Sequence, residues 1–102
     1  MSIKSNNNII INIIIDNIML FDEFDEVYIF GSILNPSKFS NDIDLLLLYS
    51  TFSSNLVEKE IQISEFLEKI SRYHLDITAL SFEEEKDINF IDRLNYNYIM
   101  GK

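Results

Sequence analysis

The sequence predicts an α/β layer architecture, a small mixed sheet of three to four strands with helices packed against it. Three observations predict it. Apolar runs of strand length occupy residues 27–30, 42–49 and 75–80. Segments with helical length or period precede and separate them. Glycine and proline together number only three in 102 residues, so no linker divides the chain, and residues 1–102 read as one domain.

The first helix is expected over about residues 8–21, entered from the tract Asn6-Asn7-Asn8, with Asn8 or Asn7 able to cap it. Isoleucine favours strands, so a strand competes here, but some fourteen residues without a turn signal favour the helix. Asn12 and Asp16, one turn apart, mark a narrow polar stripe on an otherwise apolar surface. That surface reads as core, with a partner-binding face as the alternative.

An acidic connector over residues 22–26 leads into the first strand, 27–30, which ends at Gly31. Residues 32–39 form a short helix or loop whose regularity Pro36 limits. The run Leu45-Leu46-Leu47-Leu48 makes the strand over 42–49 central, buried on both faces.

A helix follows over about 56–73, with Asn55 and Glu58 at capping-box spacing. Ile63, Phe66, Leu67 and Ile70 define its expected buried face. Glu65/Lys69 and Glu68/Arg72 are i, i+4 pairs on its solvated side. The third strand covers 75–80. Ser81 with Glu84 starts a further helix, where Glu83, Glu84 and Glu85 complement the positive end and Arg93 the negative end. A short strand closes the series within 96–100, where Tyr96 and Tyr98 read as packing residues. The order is αβ(α)βαβα.

Composition narrows the function. Net charge is −9, and the eight basic residues form no stripe, which argues against duplex nucleic acid and anionic membrane surfaces as partners. The apolar stretch at 9–15 is interrupted by Asn12 and is too short to span a bilayer, and no signal-peptide cleavage site follows it. Cysteine is absent, in keeping with a cytoplasmic protein, and His74 is the one imidazole. A metal here would be hard and oxygen-liganded, Mg²⁺ or Mn²⁺.

Chemistry concentrates in three places. Gly31-Ser32 ends the first strand, Asp42 and Asp44 open the second, and Asp76 lies in the third. Residues i and i+2 of a strand share a face, so Asp42 and Asp44 present neighbouring carboxylates whose repulsion a divalent cation would relieve. Asp76 sits in an apolar strand and reaches the same place if the second and third strands are neighbours. Glycine allows backbone to approach a phosphate closely, and serine can bond its oxygens. Read singly, Gly31-Ser32 is equally a plain turn, the acids a solvated strand start, Lys38 a solvated lysine and His74 a surface residue.

Taken as an ordered set, apolar strand, Gly-Ser, loop, Asp-x-Asp, apolar strand and a later strand Asp, the chain resembles the DNA polymerase beta-like nucleotidyltransferases, and most of all their minimal nucleotidyltransferase subgroup. The resemblance spans about residues 9–80. It implies transfer of a nucleoside monophosphate, AMP from ATP or another NTP, to a hydroxyl with release of pyrophosphate. It implies that Asp42, Asp44 and Asp76 are catalytic and bind metal, with Asp76 helping to activate the hydroxyl, and that Gly31, Ser32 and Lys38 bind the nucleotide. It further implies a protein partner, a HEPN-type toxin for which this chain is the antitoxin. Family members often carry Arg and a second Gly soon after Gly-Ser, where this chain has Ile33, Leu34, Asn35 and Pro36. The alternative is the same fold without turnover, acting by binding a partner.

Overall fold

In the computed structural model, which describes residues 3–35, 37 and 40–102, one four-stranded sheet organises the chain. Its strands are β1 (Glu26–Phe30), β2 (Asp42–Tyr49), β3 (His74–Ser81) and β4 (Tyr98–Met100), in the spatial order β3-β2-β1-β4. β1 runs antiparallel to β2 and to β4, whereas β2 and β3 are parallel. A parallel pair needs a crossover, and α2 (Ser54–Ser71) supplies it. The expected mixed α/β sheet is therefore present, with β2 at its expected bounds.

β2 separates two apolar layers. Ile43, Leu45 and Leu47 face α1 (Ile3–Asp16) and α2 and are buried with Ile10, Ile14, Phe21, Val27, Ile63 and Leu67. Leu46 and Leu48 project the other way, into a smaller cluster with Tyr28, Phe30, Phe82, Phe90 and Tyr98. That face is covered by α3 (Phe82–Ile88) and α4 (Phe90–Arg93). All four leucines are at most 1% exposed, as expected of a strand covered on both sides.

α1 begins before the expected position, so Asn7 and Asn8 lie inside the helix, away from its first residue. No glycine or proline interrupts residues 3–8, and the helix simply propagates through them. It also ends early. The Asn17 side-chain amide donates to the Ile13 carbonyl at 2.7 Å, and the chain tightens into a 3₁₀ turn over Ile18–Phe21. Asn12 and Asp16 are exposed, as the polar stripe requires.

α2 also departs from expectation. Its N-cap is Ser53, whose side chain makes no capping bond, so the Asn55/Glu58 box does not form. Its buried residues are Leu56, Ile63, Leu67 and Ser71, while Phe66 and Ile70 are 41% and 42% exposed. One residue is about 100° of helix, which carries Phe66 and Ile70 off the 63–67–71 row.

Neither Glu65/Lys69 nor Glu68/Arg72 closes as an ion pair among the described residues. Arg72 instead ends the helix at φ 65°, and Glu68 turns to the next strand. Its carboxylate accepts from the Leu75 amide at 2.8 Å and lies 3.2 Å from His74 Nδ1.

The capping box at Ser81 and Glu84 forms in both directions, with bonds of 3.1 and 2.9 Å. The expected single helix beyond it breaks at Asn89, where φ is 53°, leaving α3 and α4. Asn95 and Tyr96, also at positive φ, turn the chain back so that β4 pairs with β1. Tyr98 packs edge-on against Tyr28 as expected, with ring centroids 5.2 Å apart, but Tyr96 is 88% exposed and packs nothing of the core. The Lys102 amine donates to the carbonyls of Phe21 and Phe24 at 3.1 and 2.7 Å, tying this segment to the approach of β1.

Candidate functional site

Gly31 leaves β1 at φ 86° and ψ −162°, backbone that L residues rarely adopt. A Cβ at this position would collide with the carboxylate of Asp44. Asp44 is thus seated directly against the glycine. The ladder explains the approach, since Asp44 is paired with Phe30, the residue before Gly31, and on its other side with Asp76 of β3.

Asp42, two residues back along β2, is on the same side of the sheet, and its partner in β3 is His74. The three aspartates therefore belong to one face. Asp42 and Asp76 are exposed and Asp44 is half-buried. Burial pushes the Asp44 carboxyl above its ordinary range, and the negative charges of Asp76 and then Asp42 push it further. His74 turns to Glu68 and takes no place among these acids.

This donor set is all carboxylate oxygen, which suits a hard divalent cation. Among the described residues, no three acidic or imidazole groups stand close enough together to hold a metal ion.

The segment after Gly31 begins with a 3₁₀ turn, Ser32–Leu34, and part of the expected helix or loop beyond it lies outside the described residues. The Ser32 hydroxyl shares a hydrogen bond of 2.8 Å with that of Ser40. Ser40 is buried, donates to the Asp42 carbonyl at 2.9 Å and so ties the Gly-Ser turn to the start of β2. Sequence reasoning passed over Ser40, because a lone serine in a loop carries no periodic signal. Asn35 orders the next turn, its side-chain oxygen accepting from the Ser37 amide at 3.0 Å and hydroxyl at 2.7 Å. Lys38 and Pro36 lie outside the described residues.

A cleft of about 620 Å³ opens beside Gly31 and Ser32. Phe30, Leu34, Asn35, Arg93, Leu94 and Asn97 complete its lining. Arg93, expected only to complement a helix end, thus shares a cleft with the Gly-Ser turn from far along the chain. The one available sequence signal was the scarcity of other cations near Gly31. The arrangement offers backbone amides, a hydroxyl and a guanidinium on the cleft, and an acidic face joined to it through Gly31. Such a surface can take up a phosphate-bearing ligand beside carboxylates.

Comparison with known proteins agrees with this reading of the fold. The family model described as the nucleotidyltransferase domain matches residues 15–99. A solved structure of a candidate nucleotidyltransferase from Sulfolobus solfataricus superposes with a TM-score of 0.57 at 19% identity, covering 98% of this chain and 86% of that one. A mutant of the toxin–antitoxin MntA–HpeT superposes with a TM-score of 0.56 at 16% identity, covering 94% of this chain and 72% of that one. No curated protein matches the sequence.

Proposed function

The chain belongs to the nucleotidyltransferase domain family, and from that premise we propose that it moves a nucleoside monophosphate, AMP from ATP, onto a hydroxyl of a partner protein. The observation that carries the proposal is the Asp44 carboxylate seated against Gly31 with Asp76 beside it in register. A glycine kept free of a side chain by an acid joins a phosphate-accessible turn to an acidic face.

Asp42, Asp44 and Asp76 would hold Mg²⁺ or Mn²⁺, and the exposed side chains of Asp42 and Asp76 have room to swing toward Asp44. When bound, such cations hold the triphosphate and neutralise charge on the phosphoryl group in transfer. Gly31 and Ser32 receive the triphosphate through amides and hydroxyl, and Lys38 adds a cation to that loop. Asp76 accepts the proton of the acceptor hydroxyl as its oxygen bonds to the α-phosphorus. The bond from that phosphorus to the departing pyrophosphate breaks in the same displacement.

A protein acceptor is in keeping with the structural neighbour drawn from a toxin–antitoxin pair, and we assign this chain the antitoxin role toward a HEPN-type toxin. The test incubates the chain with Mg²⁺, labelled ATP and the product of the neighbouring gene. Label should pass to that protein and be lost with Asp44→Ala. No transfer, or equal transfer by the variant, overturns the proposal.

A second reading, a partner-binding module without turnover, is favoured by apolar side chains left open on and just after α1. Ile9, Ile15 and Met19 are 52%, 40% and 77% exposed. It predicts tight partner binding that survives Asp42→Ala with Asp44→Ala, and no label transfer by the unaltered chain.

A further inference from the structure

A triphosphate carries about four negative charges, and this protein has net charge −9 with no arginine in the turn after Gly31-Ser32. Resting on the nucleotidyl-transfer reading, we propose that Arg93 is a phosphate-binding residue. Its guanidinium donates to non-bridging phosphate oxygens of a nucleoside triphosphate lodged in the Gly31–Ser32 cleft. The arginine missing from the turn after Ser32 is thus supplied from the end of α4, adding to the charge of Lys38.

The placement carries the argument. Among the described residues lining the cleft, Arg93 is the charged one, and it shares that lining with Gly31 and Ser32. Its side chain is exposed and makes no hydrogen bond or ion pair with another described residue, so the fork is available to a ligand. Its backbone is held. The Arg93 amide donates to the Asn89 carbonyl at 3.1 Å, and the Leu94, Asn95 and Asn97 amides each close a further turn at 3.0–3.1 Å. Phe90 packs edge-on against Phe30 with centroids 5.5 Å apart, fastening α4 to the strand end that delivers Gly31.

A guanidinium is also the group whose planar donors match phosphate oxygens best. An arginine held through its backbone, free at its guanidinium and lining the same cleft as a glycine–serine turn has the form of an oxyanion clamp. Its role as a helix-dipole partner is weak, because α4 spans only four residues.

Calorimetry on the full chain tests this with MgATP and with magnesium tripolyphosphate, comparing the unaltered protein, Arg93→Ala, Arg93→Lys and Arg72→Ala. Arg93→Ala should weaken both ligands about 10- to 100-fold, the scale of a lost charge-assisted pair. Arg93→Lys should recover part of that loss, and Arg72→Ala, at the exposed end of α2, should bind as the unaltered chain does. Melting temperature should be unchanged by Arg93→Ala, since its side chain supports no fold contact. Unaltered affinity in Arg93→Ala, or an equal loss in Arg72→Ala, overturns the Arg93 assignment and leaves the transfer reading standing. If the unaltered chain binds neither ligand, both fall together.

Discussion

On one side of the sheet Ile43, Leu45 and Leu47 are wholly enclosed beneath α1 and α2, whereas on the other Leu46 and Leu48 are covered but Asp42, Asp44 and Asp76 are not. The same strand, β2, supplies residues to both. Strand periodicity of two lets a single segment bury Ile43, Leu45 and Leu47 in the main core and still carry carboxylates at the even positions of its start. Asp42 and Asp44 thus ride on the most enclosed strand of the molecule, with Asp76 on its parallel neighbour. Their placement inherits the rigidity of the core, while the other wall of the cleft rests on short α4 and its left-handed turns.

If this division holds, damage on the enclosed side should cost stability and damage on the acidic side should cost ligand. The largest effect is expected from Leu45→Ala, which opens a void in the main core. Urea unfolding should show a loss of about 3 kcal/mol, with any surviving folded protein still binding MgATP. A smaller loss would mean that α1 and α2 can collapse onto the gap.

Gly31→Ala probes the boundary between the two regions. It forces a side chain into left-handed backbone and into Asp44, so a stability loss of about 1–3 kcal/mol is expected together with loss of nucleotide binding. Intact binding in this variant would break the link between turn and acidic face.

Ser81→Ala removes the cap of α3, which covers only the second face. Thermal unfolding should register about 1 kcal/mol, without the wider disruption of a core variant. The reciprocal half of that box rests on Glu84, whose carboxyl is held below its ordinary range by the Ser81 amide. Its contribution is present above the unfolded-chain value and disappears as pH falls through the lowered one.

The smallest effect carries the opposite sign. Asp44 is pushed above its ordinary 3.8 by burial and by its two neighbours, so its ionisation penalises the folded chain as pH rises through the raised value. At neutral pH and without divalent ions, Asp44→Asn should therefore raise the melting temperature, by under about 1 kcal/mol equivalent given solvent screening. Added Mg²⁺ should stabilise the unaltered protein and not this variant, which a melting series with and without chelator would check.

Strands and acids were legible because they depend on local pattern. Four consecutive leucines force a two-sided strand, and the capping box at Ser81 is spelled out within four residues. Placing Asp76 beside Asp44 needed only that β2 and β3 be neighbours, which a single helical crossover makes natural.

What stayed hidden depends on distant packing. Phe66 and Ile70 have the right spacing for a buried face, yet the axial rotation of α2 is set by what sits beneath it. Helix ends at Asn17 and Asn89 arise from a side-chain bond and a left-handed asparagine, choices that propensity does not dictate. Arg93 reaches the cleft through the break at Asn89 and the packing of Phe90 on Phe30, neither of which a local pattern signals. Ser40 gains its role from a hydroxyl eight residues away.

The contact between Gly31 and Asp44 also limits how this chain can drift. Two positions on different strands share one volume, so a methyl can be gained at the first only where the second shrinks. Paired substitutions there should be strongly non-additive: alanine at 31 and glycine at 44 should coexist more comfortably than the single changes foretell. A lineage that abandons the acid relieves the clash but not the left-handed backbone at 31, so the acid can be lost while the glycine is kept, and the glycine should not be lost first.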